Sequence, residues 1–293
     1  MKCSIIGANG FVGGHLLRTL RQQGHDVSGY DIEACEEAGV QRLNVCSDQT
    51  SLPTGVDVVI YLSQSPYYRV FPERADDLYG VNVIGAARLA AAAKVAGASL
   101  FVYASTGNVY QVSYKALAES HPVRRDDAYA LSKVMGEDAV AAVAGEMRTL
   151  SLRIFGAFGP GQQNMLIPGL IGRIRQHQAI TLQPHPISNH DGGLIVSLIY
   201  INDLVNGLQA LIDGCLHGEV KDQIINLGGP RGVSIREIAV GLGEALGEEP
   251  IFELGEVVRP FDLIADVTRL RSLTEMSFTS LTQSLQETVC SYE

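Results

Sequence analysis

The chain has 293 residues, of which 46% are hydrophobic and 18% are charged. This balance predicts a folded protein with a sizeable core, organised as about two domains or one large α/β domain, and it excludes a disordered chain. Because 32 acidic side chains face only 22 basic ones, the formal charge is −10. No nucleic-acid partner is therefore expected, since such a partner needs a basic surface.

Cysteine usage and hydropathy bear on the compartment. The five cysteines are scattered and never form a C-x-x-C pair, which is typical of a reducing compartment and gives no sign of a structural metal. No run approaches the roughly 18 apolar residues of a membrane span. The first apolar run starts at Cys3 with no basic segment before it, so no signal peptide is predicted. We expect a cytoplasmic protein with no metal site and no membrane contact.

Short apolar runs alternate with longer helical stretches in the first half of the chain. The predicted strands are 1–6, 26–30, 56–62, 100–103 and 150–155, and the predicted helices are 11–23, 78–96 and 128–144. This alternation predicts an α/β fold with a Rossmann-type, doubly wound parallel sheet. Beyond residue 155 the loops become rich in proline and glycine. We therefore predict an NAD-binding domain over 1–155 and a smaller α/β substrate-binding cap over 156–293, with 199–200 or 224–225 returning a strand to the main sheet.

A glycine-rich turn joins the first predicted strand to the first predicted helix. Gly7, Gly10 and Gly13 leave bare backbone N–H groups that can approach a pyrophosphate at the helix N-terminus. Asp31 ends the second strand, where a carboxylate can accept hydrogen bonds from the ribose hydroxyls. Because Asp31 would repel a 2′-phosphate and the following Ile32 supplies no cation, NAD is favoured over NADP. An ordinary strand–helix turn is the alternative, and the missing Gly-Lys-Ser/Thr excludes a P-loop NTPase.

Tyr129 and Lys133 stand four residues apart in a predicted helix and therefore share one face. A phenol with a pKa near 10 must be lowered by about 3 units to act as a base at neutral pH. A cation beside it, together with the positive nicotinamide ring, offers a physical route. A tyrosine–lysine pair on an exposed helix face is the alternative interpretation.

In combination, these features resemble the NAD-dependent epimerase/dehydratase family of the extended short-chain dehydrogenase/reductase superfamily, especially its UDP-glucose 4-epimerase-like members. The resemblance covers essentially the whole chain. Besides the glycine turn and the tyrosine–lysine pair, the matching segments are 57–62, 81–85, 101–106, 109–110, 152–153, 159–161, 200–204 and 226–228.

The resemblance implies a set of cofactor contacts spread along the first domain. The implied NAD-binding residues are Gly7, Gly10, Phe11, Val12, Gly13, Asp31, Ile32, Asn44, Val45, Leu62, Asn82, Tyr129, Lys133 and Phe155. Of these, Phe11 and Val12 would contact the pyrophosphate, Asn44 and Val45 would flank the adenine, and Leu62 would line the cofactor cleft.

The resemblance also implies the roles of the residues that act on the substrate. Thr106 matches the family's Ser/Thr that hydrogen-bonds the reacting hydroxyl, Tyr129 is the base, and Lys133 also holds the nicotinamide ribose. A hydride then passes to C4 of the nicotinamide, while the protein supplies position and proton transfer. Arg259 matches an arginine that contacts the phosphate of the substrate.

Departures from the family pattern narrow the reaction and the substrate. Related sugar dehydratases carry Asp-Glu where this chain has Gly107-Asn108, and the decarboxylase branch uses a Glu at the position of Asn108. Neither residue exchanges protons near neutral pH, so dehydration and decarboxylation are disfavoured. Gly156 replaces an Asn, and Val196 an Arg, that ordinarily contact a diphosphate-bearing substrate.

The sequence thus predicts an NAD-dependent epimerase acting on a sugar carbinol, at C4 of a nucleotide sugar. One alternative is an NAD-linked dehydrogenase or reductase of a non-nucleotide alcohol or ketone, which Gly156 and Val196 favour. A cofactor-binding scaffold without turnover is the other. The alanine-rich helices 78–96 and 128–144 predict a homodimer through a four-helix interface, as in the resembled family, with tight packing on the sheet as the alternative.

Overall fold

The structure is a computed structural model that describes residues 1–48, 51–187 and 191–292. Strands occur throughout this part of the chain. They are β1 (Lys2–Ile6), β2 (Asp26–Asp31), β3 (Val40–Arg42), β4 (Val58–Tyr61), β5 (Leu100–Thr106), β6 (Arg148–Ile154), β7 (Ala157–Phe158), β8 (Ile180–Leu182), β9 (Ile195–Ser197), β10 (Ile199–Tyr200), β11 (Ile224–Leu227), β12 (Gly232–Ser234) and β13 (Phe252–Leu254).

Helices connect most of these strands. They are α1 (Phe11–Gln22), α2 (Ala75–Tyr79), α3 (Ala86–Val95), α4 (Ala128–Ala144), α5 (Leu166–Arg175), α6 (Ile201–His217), α7 (Ile235–Leu246), α8 (Thr268–Leu273) and α9 (Leu281–Cys290). A π-helical turn, Gly80–Gly85, joins α2 to α3, and a 3₁₀ turn, Gly107–Val109, follows β5. None of the helices in the described ranges is both long and apolar enough to cross a membrane.

The central sheet has seven strands in the order β11-β6-β5-β4-β1-β2-β3. From β3 to β6 all neighbouring strands run parallel. Strands β4 and β5 are apolar over almost their whole length, because helices cover a parallel sheet on both faces. From β3 to β6 the order is that of a doubly wound nucleotide-binding fold. The predicted fold class is therefore confirmed.

The described chain forms two compact units. The first contains Met1–Gln111, Pro122–Ile154 and Leu208–Ile225, and the second contains Val112–His121, Phe155–Gly207 and Asn226–Glu293. Within the second unit, β7 pairs with β10, β9 with β12 and β8 with β13, and α7 packs against α5 and α9. The assignment of a cofactor-binding and a substrate-binding domain stays a prediction.

The two alanine-rich helices pack on the sheet and on each other. Ala86, Ala90 and Ala93 of α3 and Ala144 of α4 are buried in one core cluster with residues of β4 and β5. Small side chains let α3 and α4 approach the sheet closely. Packing within the first unit therefore explains these buried alanines, but not the alanines on the exposed sides of the two helices. The opposite side of α3 stays open, with Val95 exposed.

The π-helical turn is the largest departure from the predicted elements, because a single helix over 78–96 was expected. In the structure, Tyr61 of β4 donates a hydrogen bond to the Val81 carbonyl at 2.6 Å, and Tyr103 of β5 donates one to the Asn82 carbonyl at 2.8 Å. Two backbone carbonyls of this turn thus accept hydrogen bonds from buried phenols of the central sheet. Burial raises the pKa of both phenols well above the ordinary value.

The remaining predicted elements differ from the structure mainly at their ends. The helix predicted over 128–144 is confirmed, whereas the short strand β3 was not predicted. Of the two candidates for a returning strand, 224–225 is correct, because β11 joins the central sheet. The other candidate, 199–200, is wrong, since β10 pairs with β7.

Candidate active site

The glycine-rich turn forms a tight cradle of bare backbone. Gly7 has φ +90°, and a Cβ there would lie 2.9 Å from the backbone nitrogen of Ser63. A Cβ on Gly13 would overlap the Gly7 carbonyl oxygen. Gly10 begins α1 without a side-chain cap, and no acidic residue stands in the first helical turn. The free N–H groups at this helix end therefore fit the pyrophosphate of a dinucleotide.

Asp31 lies beside this cradle at the end of β2. Its Oδ2 accepts a hydrogen bond from the Asn9 N–H at 2.9 Å, and its Oδ1 accepts one from the Ile32 N–H at 2.7 Å. A carboxylate offers about four acceptor positions, so Asp31 can hold the glycine turn and still receive ribose hydroxyls. Ile32 is exposed and adds no positive charge.

The other predicted cofactor residues are in several environments. Asn44 Oδ1 accepts a hydrogen bond from the Cys46 N–H at 2.9 Å, whereas Val45 is buried in the core cluster. Leu62 directly follows β4, and its N–H donates to the Ile6 carbonyl at 2.8 Å. Phe155 belongs to the second unit and is fully buried there. The cofactor contacts of these residues stay predictions.

Asn82 lies in the π-helical turn with its side chain fully buried. Its Nδ2 donates to the Ser132 hydroxyl at 2.9 Å, and its Oδ1 accepts from the Ser65 N–H at 3.3 Å. Both polar atoms of the side chain are therefore engaged with the protein. Asn82 thus ties the loop after β4 to α4, and its contact with the cofactor stays a prediction.

Thr106, Tyr129 and Lys133 meet in the first unit. Thr106 ends β5, while Tyr129 and Lys133 lie one turn apart on α4, which Asp127 caps by accepting the Ala130 N–H at 2.8 Å. The Thr106 hydroxyl is within hydrogen-bonding reach of the Tyr129 phenol.

After Thr106 the chain turns through Gly107 and Asn108. The backbone N–H and the side-chain amide of Asn108 both donate to Thr106 Oγ1, at 3.2 and 3.3 Å. This amide carries no proton that it could exchange near neutral pH. The Asn108 side chain therefore orients the Thr106 hydroxyl and adds no acid or base at this position.

The Tyr129 phenol contacts the loop after β4, which the sequence did not assign to the site. Its hydroxyl donates to Gln64 Oε1 at 2.9 Å, and its ring lies 5.1 Å from the ring of Tyr68. Burial raises the pKa of Tyr129 far above its ordinary value, and the hydrogen bond from Thr106 opposes this only in part. Gln64 lies on an exposed loop and carries no periodic signal, so sequence reasoning had no means to find it.

Lys133 is almost fully buried, at 2% exposure. Its Nζ donates to the Ala104 carbonyl at 2.9 Å and lies 5.2 Å from the centre of the Tyr103 ring. Burial lowers the pKa of Lys133 to about 7, against an opposing effect of Glu137. Burial thus dominates for both groups in the chain without cofactor. The lowering of the Tyr129 pKa, which is expected from Lys133 together with the nicotinamide ring, stays a prediction.

A buried ion pair next to Lys133 was also missed. Arg153 of β6 binds Glu137 of α4 through two hydrogen bonds, of 3.0 Å from Nε and 2.7 Å from Nη2. Ser105 donates a further hydrogen bond to the same carboxylate. Glutamate four residues after Lys133 was the available signal, although such spacing is common on exposed helices.

Arg259 lies in the second unit and is 1% exposed. Its Nε and Nη2 donate to the two carboxylate oxygens of Asp262, at 2.7 and 3.1 Å. Its Nη1 is buried and has no hydrogen-bond partner among the described residues. The buried guanidinium thus has one nitrogen whose hydrogen-bonding capacity is not satisfied within the described chain, and its contact with a substrate stays a prediction.

The two departures from the family pattern also lie in the second unit. Gly156 has φ +39°, and a Cβ there would overlap the Ser197 carbonyl oxygen and lie 2.9 Å from Leu198 Cδ2. The backbone therefore demands glycine at this position. Val196 is buried in β9, which pairs with β12.

A dinucleotide-binding fold with a Thr–Tyr–Lys site defines a short-chain-dehydrogenase type of protein. The chain belongs to the NAD dependent epimerase/dehydratase family, whose model matches residues 3–228. NAD is accordingly the cofactor, and this prediction is confirmed.

Two relatives illustrate the range of activities near this chain. It is 25% identical to "Uncharacterized UDP-glucose epimerase YtcB" of Bacillus subtilis, over 93% of this chain and 92% of the relative. It is 27% identical to sterol-4-alpha-carboxylate 3-dehydrogenase, decarboxylating, of Mus musculus, over 70% of this chain but only 58% of that enzyme.

Solved structures share the fold over the full length. The UDP-glucuronic acid 4-epimerase from Bacillus cereus, in complex with UDP-glucuronic acid and NAD, superposes with a TM-score of 0.82 at 23% identity. The likeness covers 99% of this chain and 98% of that structure.

Proposed function

We propose that this protein is an NAD-dependent epimerase that inverts a sugar carbinol, at C4 of a nucleotide sugar. The observation that carries the proposal is the site around Thr106, which joins a hydroxyl, the Tyr129 phenol and the buried Lys133, while Gly107 and Asn108 after Thr106 add no acid or base. Epimerisation by oxidation and re-reduction needs only one group that removes and returns a proton.

The residues of this chain divide the work between orientation and proton transfer. Thr106, held by the Asn108 amide, orients the substrate hydroxyl toward Tyr129. Tyr129 removes the hydroxyl proton and later returns it. NAD, when bound in the glycine cradle, accepts the hydride and gives it back. Lys133 stabilises the ionised phenol through its charge and holds the nicotinamide ribose.

The guanidinium of Arg259 supports a substrate that carries phosphate. Its ion pair with Asp262 fixes the side chain, and Nη1 remains without a partner in the described chain. A charge-assisted hydrogen bond to a phosphate oxygen would satisfy this atom and is worth about 1.5–3 kcal/mol. The relatives named as UDP-sugar enzymes support the same substrate class.

A second candidate is an NAD-linked dehydrogenase of a non-nucleotide alcohol. Two observations favour it: Gly156 cannot carry the usual polar side chain, and Val196 is buried and apolar. Exposed apolar side chains that would suit a hydrophobic substrate lie a few residues after Gln64 in the chain: Tyr67, Val70 and Phe71.

The deciding experiment incubates the purified protein and NAD⁺ with UDP-glucose and UDP-glucuronic acid. We expect a product of unchanged mass, epimeric at C4 by NMR, and no net absorbance of NADH. Tyr129→Phe should lower kcat by several orders of magnitude and retain NAD⁺ affinity, because the phenol transfers the proton. Stoichiometric NADH with a non-nucleotide alcohol would support the second candidate instead. A product 18 Da lighter would refute the reaction class.

We also propose a homodimer formed by the exposed sides of α3 and α4. Ile84, Val95 and Met135 are exposed apolar side chains on these two helices and the turn before α3. An exposed apolar stripe on adjacent helices is the usual sign of a helix–helix interface.

A further inference from the structure

The ion pair of Glu137 and Arg153 lies in the interior of the first unit. Their side chains are 6% and 4% exposed, and the two hydrogen bonds between them form a bidentate pair. Burial disfavours the charge on Arg153, but Glu137 outweighs this effect, so the pKa of Arg153 lies above its ordinary value.

A buried ion pair is a poor means of stabilising a fold. Removing two charges from water costs several kcal/mol for each, and well-packed apolar residues often serve stability as well or better. The proposed reaction scheme uses neither Glu137 nor Arg153. Their presence beside the catalytic helix therefore calls for a role in the site.

The pair joins the three elements that carry the site. Ser105 and Arg153 are direct neighbours in the parallel pairing of β5 with β6, and both bind the Glu137 carboxylate. Thr106 follows Ser105 on β5, and Lys133 precedes Glu137 by one turn on α4. One carboxylate thus fixes the register of the helix against the strand that ends in the substrate-orienting hydroxyl.

The same carboxylate acts on the charge of Lys133. Tyr129 and Glu137 flank this lysine, one turn before and one turn after it on α4, and Tyr103 of β5 faces its ammonium. Arg153 of β6 binds Glu137, and the ring of Tyr110 lies 4.8 Å from the Arg153 guanidinium. Glu137 is the residue whose charge opposes the effect of burial on Lys133. The two phenols, whose pKa burial raises, are neutral at physiological pH.

We propose that Glu137 is a positioning residue: clamped by Arg153 and Ser105, it sets the register of α4 and places a carboxylate one helical turn from Lys133, where its negative charge favours the ammonium form. The inference rests on the role of Lys133 in the proposed function. It gives the ion pair a task that an apolar pair of the same volume could not perform.

The test is a direct titration of Lys133 in the full chain, with and without NAD⁺. The sequence contains five lysines, so ¹³Cε-lysine NMR resolves them, and loss of one signal in Lys133→Met assigns the resonance. Glu137→Gln should lower the Lys133 midpoint by about 1 unit. Arg153→Met removes the positive charge that binds the Glu137 carboxylate, so it should raise the Lys133 midpoint. The matched control is Asp138→Asn, which removes an exposed charge next to Glu137 and should shift the midpoint by less than about 0.3 units.

The opposite signs separate an electrostatic role from a merely structural one, since loosened packing would move Lys133 in the same direction in both variants. A shift in the same direction, or a midpoint in Glu137→Gln that stays within the range of the control, would overturn the proposal. The sign in Glu137→Gln is decisive, because loss of the carboxylate lowers the Lys133 midpoint whereas loosened packing raises it, and this sign can be read even if Arg153→Met fails to fold. The titration requires no substrate, so failure of the epimerase assignment would leave this result intact.

Discussion

Lys133 should make the stability of the NAD-free protein depend on pH in a defined direction. Its pKa is 10.5 in an ordinary environment and about 7 in the folded protein. Between about pH 7 and pH 9 the unfolded chain therefore keeps a proton that the folded protein releases, so the free energy of unfolding rises with pH. One pKa unit corresponds to about 1.4 kcal/mol. With half of the folded protein already deprotonated at about pH 7, the gain over this interval is about 2 kcal/mol.

The perturbation is Lys133→Met, which retains most of the side-chain volume and removes the titration. Urea denaturation followed by circular dichroism at pH 7 and pH 9 gives the free energy of unfolding of each protein. The pH-dependent gain should be smaller in the variant by about 2 kcal/mol. Lys115→Met, which removes an exposed lysine, should behave like the unmodified chain. An equal gain in Lys133→Met and the unmodified protein would refute the claim that Lys133 is buried with a lowered pKa.

Three further results are expected. Asp31→Ala should weaken NAD⁺ binding about tenfold and narrow its margin over NADP⁺, because it removes the ribose acceptor; equal affinity of the unmodified protein for both, by calorimetry, would contradict this. Met135→Glu should give a monomer mass in light scattering by burying a charge in the proposed interface, while Met165→Glu, at another exposed methionine, should not. Gly156→Asn should lower the free energy of unfolding by about 2 kcal/mol or more, through its positive φ and the overlap with Ser197; an unchanged melting temperature with tighter UDP-sugar binding would show that the loop adapts.

The local signals in the sequence were sufficient to predict the fold class, and they selected the three residues Thr106, Tyr129 and Lys133, whose roles stay predictions. The glycine turn, Asp31 and the Tyr129/Lys133 pair are each short patterns, and the alternation of apolar strands with helices indicates a parallel sheet. The structure brings Thr106 within reach of Tyr129 although 23 positions separate them in the chain. That proximity follows from the crossover between two parallel strands, because α4, which carries Tyr129 in its first turn, starts at the sheet edge where β5 ends at Thr106.

The missed features depend on partners that are distant in the sequence. Glu137 looks like an exposed helix residue until Arg153 and Ser105 are folded against it. Gln64, in the loop after β4, contacts Tyr129 across 65 positions of sequence. The burial that raises the pKa of the Tyr129 phenol in the cofactor-free chain also depends on tertiary packing, which a local sequence pattern does not contain.

The π-helical turn sets the rotational phase between α2 and α3. An α-helix turns by about 100° per residue, and a π turn accommodates one extra residue within an otherwise α-helical path. Asp77 of α2 binds the Ser65 hydroxyl, whereas Leu89 of α3 lies in the sheet core. Removal of one residue from Gly80–Gly85 would rotate one of these faces by about 100° away from its partner. Only while this turn keeps its full length can α2 contact the loop after β4 at the same time as α3 packs on the sheet.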